Sequence, residues 1–279
     1  MPSTTLHAGD QAGPFDLALR PELVRQFAEA TLDPVRSSGD GPTVPPSLIA
    51  TLAFDAQLAA FVKLVPDDVL TPVRSGVHGQ HDLLLHRPLL SDEQLRVFVE
   101  THSARPSGHN LHVTLHHLVV DERGDLAAEQ WWTTVLIGTT AGSTGPRLPD
   151  YGSPGDSPTA PVVEDVVRID GVMARRYAQV SGDFSEHHFS EEAARRSGAT
   201  APFLHGLCTL ALCARTATQT VADGDPERIR RMAVRFAAPA RLDHDLTVRL
   251  FDRPDGDFGM EAVCDGDLVI TNGLVQLAP

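Results

Sequence analysis

With 279 residues, of which 42% are hydrophobic and 22% charged, the chain has the balance of a folded globular protein and room for two units of roughly 110 to 140 residues. A formal net charge of −14 argues against nucleic acid or an anionic membrane as the main partner, because both attract a positive field. Cys208, Cys213 and Cys264 form no C-x-x-C pair and their odd number closes no disulfide framework, so a reducing cytoplasm is expected; no leader pattern or run of about 18 apolar residues points to secretion or to a membrane.

The first feature in chain order is Val24-Arg25-Gln26-Phe27-Ala28-Glu29-Ala30-Thr31-Leu32-Asp33. It returns at an offset of 150 as Ala174-Arg175-Arg176-Tyr177-Ala178-Gln179-Val180-Ser181-Gly182-Asp183, which implies two copies of one fold. Pro45 to Val65 then has the length, apolar stripe and leading prolines of a mostly buried helix. Strands follow it: Leu111, Val113 and Leu115 alternate with polar residues, and the turn Asp121 to Asp125 leads into the apolar run Gln130 to Ile137. Trp131 and Trp132 are neighbours there, so only one of them can face the core.

Residues 140–161 are dominated by Gly, Pro, Ser and Thr and read as a linker between units 1–139 and 162–279. Beyond it the order repeats: a helix from about Gly206 to Thr218, then strands near Met232–Phe236, Leu246–Phe251, Gly259–Cys264 and Leu268–Leu277, the last three separated by Asp/Gly turns. A long helix followed by an antiparallel meander, twice over, predicts an α+β architecture with each sheet wrapped around its helix.

The densest polar cluster is Ser181-Gly182-Asp183-Phe184-Ser185-Glu186-His187-His188, with His205-Gly206 at the head of the second apolar helix. A carboxylate and an imidazole five positions apart on an irregular segment can converge on one water, the carboxylate accepting its hydrogen bond and the neutral imidazole taking or returning a proton. The first turn of a helix has free N–H groups, and glycine at Gly206 lets a carbonyl oxygen approach them. Together these suit addition of water to a double bond conjugated to a thioester, with the helix start stabilising the enolate-like charge.

Simpler roles compete at several positions. Asp183 could cap a turn, His187 could line a pocket or the surface, and His205 could brace the helix start rather than act directly. His109, His112, His116 and His117 scatter over two strand faces, so no metal site is expected. Cys208 and Cys213 are expected to be buried packing residues, and Arg228, Arg230, Arg231 and Arg235 to form a solvated face or a contact for phosphates. No nucleotide-binding glycine loop occurs and no cofactor is expected.

The run Tyr177-Ala178-Gln179-Val180-Ser181-Gly182-Asp183-x4-His188-x5-Ala194, followed by His205-Gly206, resembles the hydratase motif of the MaoC-like family, which includes (R)-specific enoyl-CoA hydratases and 3-hydroxyacyl-thioester dehydratases. Val44-Pro45-Pro46, His78-Gly79-Gln80 and Arg87-Pro88-Leu89 resemble the degenerate N-terminal hotdog of its two-domain members. The resemblance implies a double hotdog and a hydro-lyase acting on an acyl-CoA or acyl-carrier-protein thioester. It implies Asp183 and His188 as the acid/base pair, the Gly206 amide as oxygen donor, and Ser181, Gly182, Ser185 and His205 around the substrate. The family usually has Asn-Pro where this chain has Ser185-Glu186. In the repeat Asp33 lies over Asp183 but Ser38 over His188, so one active site per chain is expected, with the first half shaping an acyl pocket. A hotdog thioesterase, a non-catalytic acyl-binding module and a tailoring dehydratase are the rivals, and a homodimer is a possible assembly.

Overall fold

The computed structural model describes residues 6–34, 41–152 and 160–278, and the backbone of 37–38. The first half runs through β1 (Gln11–Ala18), α1 (Pro21–Ala30), a two-residue ribbon of β2 (Ser37–Ser38) and β3 (Gly41–Pro42), α2 (Leu48–Leu52), α3 (Phe54–Leu64), α4 (Asp67–Leu70), β4 (Ser75–Leu85), β5 (Gln94–Ser107), β6 (Asn110–Asp121) and β7 (Leu126–Ile137). The second half runs through β8 (Val163–Arg168), α5 (Met173–Ser181), α6 (Glu191–Arg196), α7 (Gly206–Thr220), β9 (Ile229–Phe236), β10 (Asp245–Asp252), β11 (Phe258–Cys264) and β12 (Asp267–Leu277).

Ten strands form one antiparallel sheet in the order β1-β5-β6-β7-β4-β9-β12-β11-β10-β8. Counted outward from the central β4–β9 seam, each half places its own second, fifth, fourth, third and first strand in turn. The two halves therefore share one topology and meet edge to edge, with Gln80 opposite Arg235 and Leu84 opposite Arg231.

The repeat in the sequence marks this symmetry. Phe27 on α1 and Tyr177 on α5 are equivalent residues, and their rings touch at 6.3 Å, as equivalent residues do beside a two-fold axis. Both helices end in the left-handed region, at Leu32 (φ 56°) and at Gly182 (φ 74°). Glycine takes that conformation freely and leucine does so at a cost, which is why the turn shows in sequence only in the second copy.

α7 is buried almost all round, through Leu207, Cys208, Leu210, Leu212, Cys213 and the small residues between them. Small residues let the sheet close on the helix, and the three leucines are each worth about 1.5–3 kcal/mol of burial. Burial raises the Cys213 thiol to about 12 and drives the Cys208 thiol up as well, so both are packing groups.

In the first half the expected single helix from Pro45 to Val65 is two. The prolines precede it, because Pro46 steers Pro45 away from helical backbone, and Ala53 (φ −78°, ψ 0°) separates α2 from α3. Trp132 faces the core while Trp131 stacks on His116 on the other face. His116 and His117 point to opposite faces as well: His116 bonds Glu100 and Glu129, and His117 bonds Gln57 of α3. No helix among the described residues is long and apolar enough to cross a membrane.

Segment 140–152 has no helix or strand beyond an isolated bridge between Ala104 and Thr144, yet it is pinned to both halves. Tyr151 donates its hydroxyl to Asp82 at 2.9 Å, and Arg253 donates to the Tyr151 carbonyl at 2.8 Å. The rest of the expected linker, 153–159, lies outside the described residues.

Burial also sets the pH range of the fold. His81 and His117 are pushed down to about 3, mainly by desolvation, and His78 falls well below its usual value for the same reason. The unfolded chain binds protons on these histidines near pH 6.5 while the native state refuses them, so stability is full above about 6.5 and is lost as pH falls toward 3. The melting temperature should drop between pH 7 and pH 5; a flat profile over that interval would show the imidazoles to be solvated.

Candidate active site

The site is built where α5 ends, the following loop turns, and α7 begins. Gly182 caps α5 in the left-handed region and reverses the chain. Ser181 Oγ accepts the Asp183 N–H at 3.1 Å, and Asp183 Oδ1 accepts both the Ser185 N–H at 3.0 Å and the Ser185 hydroxyl at 2.5 Å. These short-range bonds hold the segment irregular and fix the rotation of the carboxylate. Oδ2 is left facing His188.

His188 sits on a single 3-10 turn, Glu186–His188, and is 4% exposed. Its Nδ1–H donates to the Phe203 carbonyl at 2.8 Å, which leaves Nε2 as the basic atom, 3.8 Å from Asp183 Oδ2. That separation is too long for a hydrogen bond but fits one water reaching each atom at about 2.8 Å. Desolvation, then the neighbouring His205 and His187, hold His188 below its usual value, so it is neutral and ready to accept a proton.

His205 lies directly on it: the rings stack at 3.6 Å between centroids and 25° between planes. The His205 Nε2–H donates to the Asp183 carbonyl at 2.9 Å, and the Tyr177 ring stands 5.1 Å away. Tyr177 is held by a 2.7 Å bond between its hydroxyl and Thr51 of α2, so the first half braces the site from behind. His187 is half-buried, stacks on Phe203 at 5.2 Å and meets the His188 ring edge-on at 4.1 Å.

Gly206 opens α7, and its N–H has no intrahelical acceptor. A Cβ there would lie 3.3 Å from the Phe236 ring, so glycine keeps this helix start open at close quarters.

Among the described residues, donor atoms of Asp183, His188 and His205 lie within 4.8 Å of one another, the one cluster with the makings of a metal site. The His188 Nδ1–H and the His205 Nε2–H each go to a backbone carbonyl, which leaves His188 Nε2 and Asp183 Oδ2 facing one another, a pair that suits a bridging water.

Sequence reasoning missed three supports: the Phe203 carbonyl, the Thr51–Tyr177 bond and the Phe236 ring. A backbone acceptor and contacts between distant segments leave no local pattern. The arginines expected as a solvated face or phosphate contact are largely engaged within the fold. Arg231 clamps Asp82 at 2.8 and 2.6 Å, Arg228 pairs with Asp223 and Arg230 bonds the Leu85 carbonyl.

The Ser185 geometry gives a direct expectation. Ser185→Ala removes one of the two bonds to Oδ1 and frees the carboxylate to rotate. kcat/KM for the reaction proposed below should fall about tenfold, the worth of one charge-assisted bond, with Ser185→Asn recovering part of the loss. An unchanged rate would mean that the backbone N–H alone suffices.

Residues 155–271 match the family described as MaoC like domain. The mouse protein named peroxisomal multifunctional enzyme type 2 is 26% identical over 210 residues, covering 73% of this chain and 28% of that one. The Mycobacterium tuberculosis 3-hydroxyacyl-thioester dehydratase Y is 32% identical over 173 residues, covering 58% of this chain and 57% of its own. The chain thus spans only part of the length of either relative. Among solved structures, a MaoC-like dehydratase from Phytophthora capsici superposes with TM-score 0.80 at 20% identity, covering 98% of this chain and 96% of that one. A Mycobacterium tuberculosis protein described as having a double hotdog fold gives TM-score 0.66 at 16% identity, covering 98% and 96%. Residues 155–271 are therefore similar to the MaoC-like domain family, and the whole chain has the double hotdog fold.

Proposed function

We propose that the chain is a hydro-lyase that reversibly interconverts a trans-2-enoyl thioester and its 3-hydroxyacyl form, in the (R) configuration that the family resemblance implies. The arrangement of Asp183 and His188 carries this proposal. Each has one polar atom tied off, by Ser185 and by the Phe203 carbonyl, and presents the other across a 3.8 Å gap sized for one water.

In the hydration direction, water in that gap donates one hydrogen to Asp183 Oδ2 and the other to His188 Nε2. Its oxygen attacks the β-carbon, His188 takes the proton, and the electron pair of the double bond moves onto the thioester oxygen. The Gly206 N–H at the positive end of α7 stabilises the charge there. The imidazolium, steadied by the Asp183 carboxylate, then returns its proton to the α-carbon, so the sum is one water added. Dehydration is the reverse. Every group required is a side chain or backbone amide of this chain.

His205 acts by holding the Asp183 backbone and the His188 ring, and Ser181, Gly182 and Ser185 by shaping the loop. Units 1–139 and 162–279, joined by 140–161, divide the labour: the second carries the acid/base pair and the first braces it through Thr51. The side chain of Ser38, the counterpart of His188 in the repeat, lies outside the described residues. The acyl carrier is coenzyme A or a carrier protein, and three buried, unpaired cysteines suit a reducing cytoplasm.

The test is turnover of a short trans-2-enoyl-CoA, and of the same acyl group on a carrier protein. Formation of the 3-hydroxyacyl thioester supports the proposal; failure with both carriers contradicts it.

A further inference from the structure

The first half carries a second group of buried polar side chains, on the inner face of its sheet beneath α3. Gln57 comes from α3, His78 and His81 from β4, His117 from β6 and Gln130 from β7. His81, His117 and Gln130 are fully buried. Strand register sets His117 directly across from Gln130, with Trp132 opposite His81 in the next row.

The group is only partly satisfied. His117 donates its Nε2–H to Gln57 Oε1 at 2.9 Å, and His81 Nδ1 lies 3.3 Å from His78 Nε2. His81 Nε2, His117 Nδ1 and both amide atoms of Gln130 have no hydrogen-bond partner among the described residues. Orphaned polar atoms inside a fold are destabilising and uncommon, and although His81 and Gln130 face one another, the stripe holds more hydrogen-bonding capacity than it satisfies within the described residues.

The stripe adjoins the proposed site. His78 is its half-buried member, the one solvent reaches. The His78 ring lies between Trp132, stacked at 4.3 Å, and Phe236 at 4.6 Å. Phe236 is also the ring that a Cβ on Gly206 would meet at 3.3 Å. One aromatic ring therefore separates the helix start that faces the thioester oxygen from the polar stripe.

We propose that this stripe recognises an oxygen on the acyl chain, so that the preferred substrates are 2-enoyl thioesters with a hydroxyl or keto group beyond the double bond. This rests on the hydratase reading and adds the substrate class. With its carbonyl at Gly206, the chain runs past Phe236 and presents its oxygen to His78, behind which His81 and Gln130 complete the polar contact. A plain alkyl chain leaves those atoms unpaired and is disfavoured, since a site built to hydrogen-bond a group rejects the analogue lacking it.

The experiment measures binding of two saturated thioesters, hexanoyl-CoA and 5-oxohexanoyl-CoA, to the full chain by calorimetry. Neither can be hydrated, so recognition is read apart from chemistry. The oxo compound should bind about tenfold tighter, and His78→Phe and Gln130→Leu should each bring the ratio close to one. Should Gln130→Leu fail to fold, His78→Phe at its half-buried position carries the comparison.

Equal affinities in the unaltered protein, or a preference that survives both variants, would overturn the proposal. Equal affinities with intact hydration of trans-2-hexenoyl-CoA would leave the hydratase reading standing, and would mean that the stripe holds internal water. Absence of both binding and hydration would remove the hydratase reading and this proposal together.

Discussion

Replacing Arg231 with methionine is expected to destabilise the protein by about 3–5 kcal/mol, a fall in melting temperature on the order of 10 °C. Asp82 lies on β4 with its side chain wholly out of solvent, and Arg231 reaches it diagonally across the β4–β9 seam with two bonds of 2.8 and 2.6 Å. The guanidinium also packs over the Trp131 and Tyr151 rings, at 5.9 and 5.4 Å. Methionine keeps much of that packing but leaves the Asp82 carboxylate buried with the Tyr151 hydroxyl as its remaining side-chain partner.

The pair is costly to break and cheap to replace. Asp82→Leu together with Arg231→Met should return most of the lost stability, because two apolar side chains need no compensation. Thermal unfolding of the single and double variants reads the difference. A single variant as stable as the parent would mean that water reaches Asp82, and a double variant worse than either single one would mean that the pair contributes net stability. Among the described residues the β4–β9 seam is the only strand pairing between the halves in the ten-stranded sheet, so loss of this pair loosens the junction itself.

The second large effect is kinetic. His188→Ala should reduce kcat/KM for enoyl-thioester hydration by about 10²–10⁴, and Asp183→Asn by a similar factor. Both groups act on the same water, so the double variant should be little worse than the poorer single one, whereas independent contributions would multiply. His188 is held below its ordinary value chiefly by desolvation, so it stays neutral when pH falls from 8 to 6.5, and the acid limb of kcat/KM should lie below 6.5. An acid limb near 7 would imply a solvated imidazole.

Much of this was legible in the sequence, for physical reasons. The ten-residue repeat is local, and it marked the two-fold relation that the Phe27–Tyr177 contact displays. α7 and β9 to β12 follow from apolar runs punctuated by Asp/Gly turns. The separation of Trp131 from Trp132, and of His116 from His117, follows from the two-residue period of a strand.

β1, β4, β5 and β8 were not legible. β4 carries polar residues on both faces, with His81 turned inward and Asp82 outward, so its hydrophobic period is hidden. The break at Ala53 carries no Gly or Pro signal.

At the site, spacing brought Asp183, His188 and His205 together on paper and the fold does so in space, within 4.8 Å. The atoms that set their chemistry, the Phe203 carbonyl and the Thr51 hydroxyl, are 15 and 126 residues away from their partners. No local pattern reveals such contacts. The replacement of Asn-Pro by Ser185-Glu186 also becomes clear: the Ser185 hydroxyl and N–H both bind Asp183 Oδ1, so the shorter residue still orients the carboxylate.

The most direct measurement follows one enoyl thioester with two signals at once, the absorbance of its conjugated double bond and the appearance of free thiol. The expected result is loss of absorbance with no thiol released, abolished in His188→Ala. Thiol release keeping pace with the absorbance change would make the protein a thioesterase. A rate unaltered by either His188→Ala or Asp183→Asn would contradict the central claim that this pair activates the water.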